Sequence, residues 1–455
     1  MPAPWSFFAP HLAQPYPFFL DRDGDSSWSF AGSRPSAQLV VDRDGRARVR
    51  DGRRWRDIPG DPIDAIDAFV TRSESRLAKP GRNDADRVAN ELLDVPLPRT
   101  VGYLAYELGR FIETVPTVDT DPIGMPLAVL SSYDEIDAWH GTHGRVTGLR
   151  FEDAAGARAC ETPLPWGSPG DAARIAENSE NAYRAGFARI AEAIRTGEIY
   201  QANLSRRIAV PSADPASEAY RVLREVQPVP QGAYLDLGPW QILSNSPECF
   251  LLVNGQEIST FPIKGTRARA SDDALDRDAR EQLLADPKER AEHVMIVDLE
   301  RNDLGRICTT GSVHVPRHAS VVSFRTLHHL ESRVSGIVRP GCGIADVLRA
   351  TFPGGSITGA PKIRAMQIIA EVEPCARGVY TGAIGAFNGA GRIELNIAIR
   401  TAVAAGGYIH YSTGGGIVAD SGLESEYEET VTKAQALLKT LAVQAAGPAE
   451  RAATS

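Results

Sequence analysis

The chain has 455 residues, 43% of them apolar and 24% charged, with a formal net charge of -9. An acidic surface is repelled by nucleic-acid phosphate and by anionic lipid, so neither is an expected partner and a small-molecule substrate is. Five scattered cysteines without a Cys-x-x-Cys pair imply neither a disulfide framework nor a zinc site, and no apolar run approaches the ~20 residues of a membrane span, so the expected compartment is the cytoplasm.

Residues 1–152 read as a strand-rich region that supplies sheet and packing surface. Segments 28–32 and 38–41 have strand character, 21–25 is a turn, and 101–106 is a compact apolar run. Apolar Ile63, Ile66, Phe69 and Val70 recur at helical spacing, which predicts a helix over 63–78. Residues 153–179 shift to Ala, Gly, Pro and Glu and form the expected linker. Residues 180–445 carry the chemistry, and 446–455 read as a disordered tail.

After the linker a helix is predicted over 181–196. The next segment, 199–210, alternates, with Gln201, Asn203, Ser205 and Arg207 on one face. Such a polar face belongs either to a pocket wall or to a solvated edge strand. Pro247 cannot donate to a ladder and predicts a bulge or sheet edge beside Glu248, a carboxylate among apolar neighbours whose burial would raise its pKa and favour a proton donor.

Lys264 lies in Phe261-Pro262-Ile263-Lys264-Gly265-Thr266, punctuated by proline and glycine. Six of the 49 basic residues are lysines, leaving 43 arginines, so a retained lysine points to a use for its amine, because a guanidinium cannot become a nucleophile.

Asp286-Pro287-Lys288-Glu289 carries an N-cap acceptor, proline at the first helical position and glutamate at the third, which starts a helix. Glu289 and Glu292 then share a face, and Glu426 and Glu429 repeat that spacing on the last helix. Two such pairs brought together offer hard oxygen ligands suited to Mg²⁺. The glycine-rich segment 352–362 reads as a seat for a carboxylate or phosphate at a helix start. Strict alternation over 393–401 places Arg400 on the polar face of a strand, where it could fork onto a carboxylate, and Gly414-Gly415-Gly416 allows close backbone approach to a ligand.

Together these stretches resemble the chorismate-utilising enzymes, which include the large subunits of anthranilate synthase and aminodeoxychorismate synthase and the isochorismate and salicylate synthases. The likeness rests on Gly197 to Ser205, Ser246-Pro247-Glu248, Pro262 to Arg267, Glu289 to Arg306, His329 to Val334, Phe352 to Lys362, Arg377 to Gly382, Ile399 to Thr401 and Gly414 to Lys433. It implies an α+β fold in which both halves of the chain contribute strands to a large two-sheet β-sandwich with flanking helices.

The resemblance also implies roles. Isochorismate and salicylate synthases carry a water-activating lysine where this chain has Gln201. Anthranilate synthases usually carry alanine where it has Lys264, whereas aminodeoxychorismate synthases carry lysine. The implied reaction is therefore amination of chorismate to 4-amino-4-deoxychorismate in para-aminobenzoate and folate biosynthesis, with anthranilate synthesis as the nearest rival and a non-catalytic chorismate- or tryptophan-binding subunit as the rival from another class. Glu292 and Glu429 would hold Mg²⁺, supported by Glu289 and Glu426. Gln201, Thr266, His329, Tyr380, Arg400, Gly416 and Lys433 would bind the substrate, Glu248 would act as the acid and Lys264 as the nucleophile. The sequence lacks a glutaminase nucleophile elbow, so the implied source of ammonia is a separate glutamine amidotransferase subunit, with free ammonia as a fallback.

Overall fold

The structure is a computed structural model, and it describes residues 3–445 apart from 23–27, 53, 73–96, 142–143, 152–179, 213, 325–326 and 389–390. The predicted linker, the turn at 21–25, the end of the helix predicted over 63–78 and the tail therefore lie wholly or largely outside the described residues. Among the described residues, two antiparallel sheets of ten and twelve strands organise the molecule. Both are composite. Strand Phe18–Asp21 pairs with Gln231–Asp236 in the ten-stranded sheet, and Thr100–Leu104 pairs with Ala383–Asn388 in the twelve-stranded one.

The main core lies between the sheets, and alternating side chains fill it. Phe18, Leu20 and Ile242 of one sheet meet a cluster that includes Leu39, Tyr103 and Leu251 of the other. Their neighbours Phe19 and Leu243 point the opposite way, into a second cluster with Phe8, Tyr220 and Leu223. The ten-stranded sheet is thus covered on both faces. Helix Glu180–Arg195 follows its predicted span closely and packs Tyr183 and Ile190 into a third cluster with Leu204 and Ile368.

Two of the places where the chain passes from one sheet to the other lie side by side. Strand Trp240–Ser246 belongs to the ten-stranded sheet and Cys249–Asn254 to the twelve-stranded one, so Pro247 and Glu248 form a crossing. The predicted irregularity is there, as a register shift between Cys249 and Leu251. The second crossing corrects the sequence reading. Residues 393–401 are not one strand: Arg392–Ile397 ends in one sheet and Thr401–Ala405 resumes in the other. Alternation continues through the break because both sheets face a shared core, so the pattern cannot register which sheet a residue joins. Arg400 lies in the break with φ +49°, a left-handed conformation costing about 1–2 kcal/mol for a residue with a Cβ. The two crossings are tied together: the Ile397 amide donates to the Glu248 carbonyl at 3.1 Å, and the Asn245 amide to the Arg400 carbonyl at 3.0 Å.

Two helices complete the frame. Asp286 caps Pro287–Gly305 as its sequence predicts, accepting from the Lys288 and Glu289 amides. Helix Leu423–Ala445 packs against strand Tyr408–Ile417, which carries the three glycines. Among the described residues, no helix is long and apolar enough to cross a membrane.

Candidate active site

Strand Ile263–Ala268 holds Lys264, and its pairing with Leu327–Ile337 shifts register between Lys264 and Thr266. Gly265 occupies that bulge with φ +70°, and a Cβ there would lie 3.2 Å from Glu289 Oε2. Only glycine takes this geometry without strain, and the bulge sets where Lys264 points. The amine faces a cavity of about 680 Å³ and lies 3.9 Å from Glu292 Oε2.

The same cavity is lined by Glu248, Thr266, His329, Tyr380, Arg400, Gly416, Lys433 and the four glutamates 289, 292, 426 and 429. Gln201 departs from the expected wall. It lies one layer back, buried, where a Cβ on Gly416 would sit 2.5 Å from its Nε2 and 3.3 Å from Lys264 Nζ. The polar face of strand Gln201–Pro211 is nonetheless buried throughout, and Asn203 reaches the cavity wall, so this is a pocket strand and not a solvated edge.

Glu248 is 5% exposed, and burial lifts its carboxyl to about 7, with the Ser356 hydroxyl, which donates to Oε1 at 2.7 Å, and the charge of Lys264 opposing the rise. A carboxyl in that range can hold a proton at neutral pH and release it, as a general acid must. His329 is pushed down to about 4 by burial and by the Arg400 charge, so it is a neutral imidazole; its Nδ1 pairs with the Thr266 hydroxyl at 3.0 Å. Arg400 has no carboxylate within 4 Å among the described residues, and burial lowers its pKa. A half-buried guanidinium facing a cavity without a counter-ion is poised for an anionic ligand.

The four glutamates surround the cavity from two helices, but they are not yet a coordination sphere. Among the described residues, no three metal-ligating side chains are already gathered around one point. Glu429 pairs with Lys433 at 2.7 Å, and that lysine also donates to the Gly414 carbonyl at 3.0 Å. Glu426 accepts from Ser421 at 2.6 Å. Glu292 is raised by burial, opposed by Lys264 and Lys288 and reinforced by Glu289 and Glu426. Carboxylates from two helices that repel one another across a cavity, all with hard oxygen donors, fit a divalent cation such as Mg²⁺.

Segment 352–362 does not keep a free anion seat. Lys362 is buried and its amine is fully engaged, with Asp303 Oδ2 at 2.5 Å and the Thr351 and Pro353 carbonyls at 3.2 and 3.0 Å. The segment instead delivers Ser356 to Glu248. Ser356 and Arg377 were not singled out by sequence reasoning. Arg377 is buried and ties Glu373 and the carbonyls of Asn203 and Ile357 together behind the pocket strand. Nothing local marks these two, because their roles depend on partners remote in the chain. Beyond the main cavity, a void of about 20 Å³ beside Glu107 is too small for a substrate.

A family model described as chorismate binding enzyme matches residues 17–439. The chain belongs to the chorismate-binding enzyme family. It is 40% identical to anthranilate synthase component 1 of Thermus thermophilus over 76% of this chain and 78% of that protein. It is 36% identical to aminodeoxychorismate synthase component 1 of Escherichia coli over 84% of this chain and 83% of that one. Among solved structures, anthranilate synthase component I of Streptococcus pneumoniae superposes with a TM-score of 0.75 at 27% identity, covering 91% of this chain and 93% of that one. The two-sheet architecture is therefore the fold of chorismate-binding enzymes.

Proposed function

We propose that this chorismate-binding enzyme is an aminodeoxychorismate synthase, and that Lys264 is its covalent nucleophile. The observation that supports this reading is the Lys264 amine facing one cavity together with a buried acid, Glu248. In the proposed sequence the Lys264 amine bonds to C2 of chorismate as the C4 hydroxyl leaves as water, taking the proton of Glu248. Ammonia then bonds to C4 and the C2–N bond breaks, returning the lysine and yielding 4-amino-4-deoxychorismate. Splitting one displacement into two lowers each barrier.

Arg400 and Tyr380, with the Gly416 backbone, would hold the enolpyruvyl carboxylate, and Thr266, His329 and Lys433 would complete the pocket. Glu292 and Glu429, with Glu289 and Glu426 in support, would hold Mg²⁺, which when bound neutralises the ring carboxylate. A glutaminase subunit would supply ammonia from glutamine, in the cytoplasm. Anthranilate synthesis is the second reading, favoured by the relatives of that name at 37% and 40% identity.

One incubation separates the two. With chorismate, Mg²⁺ and ammonia, an aminodeoxychorismate synthase gives no fluorescent anthranilate, and mass spectrometry of the quenched enzyme shows a chorismate-derived adduct on Lys264. Anthranilate appearing without an added lyase would overturn the proposal.

A further inference from the structure

The hydroxyl aimed at Glu248 sits on a turn that the chain fixes from several directions. Ser356 is the middle residue of the short turn Gly355–Ile357. Before that turn, the Lys362 amine binds the Thr351 and Pro353 carbonyls. After it, the Thr358 hydroxyl donates back to the Gly354 carbonyl at 3.0 Å. The Ile357 carbonyl accepts from Arg377 at 3.0 Å and from the Asn203 side chain at 3.3 Å, which ties the turn to the pocket strand. Ser356 therefore reaches Glu248 from a backbone held independently of Glu248.

Both partners of the 2.7 Å contact are buried, and among the described residues the Ser356 hydroxyl has no partner other than Glu248 Oε1. A serine hydroxyl can donate or accept. If it accepted from Glu248, its own hydrogen would be left buried without an acceptor, so it donates. The oxygen that receives this hydrogen is the worse seat for the carboxyl proton, and Oε2 is left to carry it.

We propose that Ser356 is a positioning residue for the acid step: by donating to Oε1 it assigns the transferable proton of Glu248 to Oε2, and it holds the carboxylate left when that proton departs with the C4 hydroxyl as water. The consequence for turnover rests on the reading of Glu248 as the acid; the effect on the Glu248 proton does not. Lys264 and the Ile263 amide from strand Ile263–Ala268, Glu331 from Leu327–Ile337, Glu300 from helix Pro287–Gly305 and Ser356 are the groups that face Glu248. Lys264, the amide and Ser356 favour the ionised form, and burial and Glu331 oppose it.

The sign of the response separates this role from packing. Removing a donor from the ionised carboxylate raises its titration midpoint, whereas loosening the turn admits water and brings the midpoint down toward the ordinary glutamate range. The carboxylic-acid infrared band of protein labelled with ¹³C-glutamate, followed against pH with the Glu248→Gln spectrum subtracted, reads that midpoint. Ser356→Ala should raise it by about one to two pH units, the worth of one hydrogen bond to a charged group. In turnover with chorismate, Mg²⁺ and ammonia, the same variant should move the alkaline loss of activity upward by a similar amount and lower kcat about tenfold with KM for chorismate nearly unchanged. Ser356→Thr keeps the hydroxyl and should recover most of the midpoint and of the rate. A midpoint that is unchanged or lowered in Ser356→Ala overturns the inference. A raised midpoint together with full turnover by Glu248→Gln upholds the hold of Ser356 on the Glu248 proton and refutes Glu248 as the acid.

Discussion

Glu248 and the glutamates of the two helices face one cavity under opposite conditions. Glu248 is buried in the cavity wall, held by Ser356, with Glu300, Asp303 and Lys362 buried behind it. Of the four helix carboxylates only Glu426 is buried; Glu289 and Glu292 are half-buried, and Glu429 is exposed and tied to Lys433. The acid region is pre-organised by contacts within the chain, and the carboxylate region holds repulsion that a cation would relieve. Rate should therefore be lost by disturbing the first, and cation requirement by disturbing the second.

The largest expected effect is on rate. Glu248→Gln keeps the shape and the Ser356 contact but removes the transferable proton, and should lower kcat by about 10²–10⁴-fold with unchanged thermal unfolding. Next comes stability. Lys362→Met strands Asp303 without its cation and should cost about 3–5 kcal/mol in denaturant unfolding. Glu426→Gln tests the other region: it should raise the Mg²⁺ concentration for half-maximal activity by roughly 10–100-fold while leaving unfolding nearly unchanged. If it instead lowers kcat at saturating Mg²⁺, the contrast between the regions fails.

A smaller effect concerns pH. Glu248 and Glu300 have folded pKa values of about 7 and about 8, raised above the ordinary glutamate range by burial. A raised folded pKa gives stability that is complete below the unfolded pKa and is lost as pH rises through the folded one. Calorimetry should therefore show Tm falling as pH rises from about 5 to about 8 and levelling above that, less steeply in Glu300→Gln. The smallest effect is that of Lys433→Ala on folding: its pair with Glu429 is about half exposed and should be worth under ~1 kcal/mol.

The sequence made local chemistry legible and left sheet membership hidden. The Asp-Pro-x-Glu start at Asp286, the proline irregularity beside Glu248 and the polar face of Gln201–Pro211 each follow from a few neighbouring residues, and the structure has all three. The break at Arg400 does not, because alternation is the same on either side of a change of sheet. Segment 352–362 misled for a related reason: a glycine-rich loop before a helix looks alike whether it is open to an anion or closed around a lysine held by Asp303, 59 positions away in the chain. Glu300 is hidden too, since one acid in a polar stretch of helix looks solvated until the neighbouring elements close over it.

The composite sheets make the amino-terminal third inseparable from the rest. A polypeptide beginning after residue 152 would bare one side of Gln231–Asp236 and one of Ala383–Asn388, where Phe18–Asp21 and Thr100–Leu104 now pair. Both would be largely apolar, unprotected edges inviting intermolecular strand addition. Such a fragment should precipitate, not persist as a smaller enzyme, and co-expression with the missing third offers a route to rescue it.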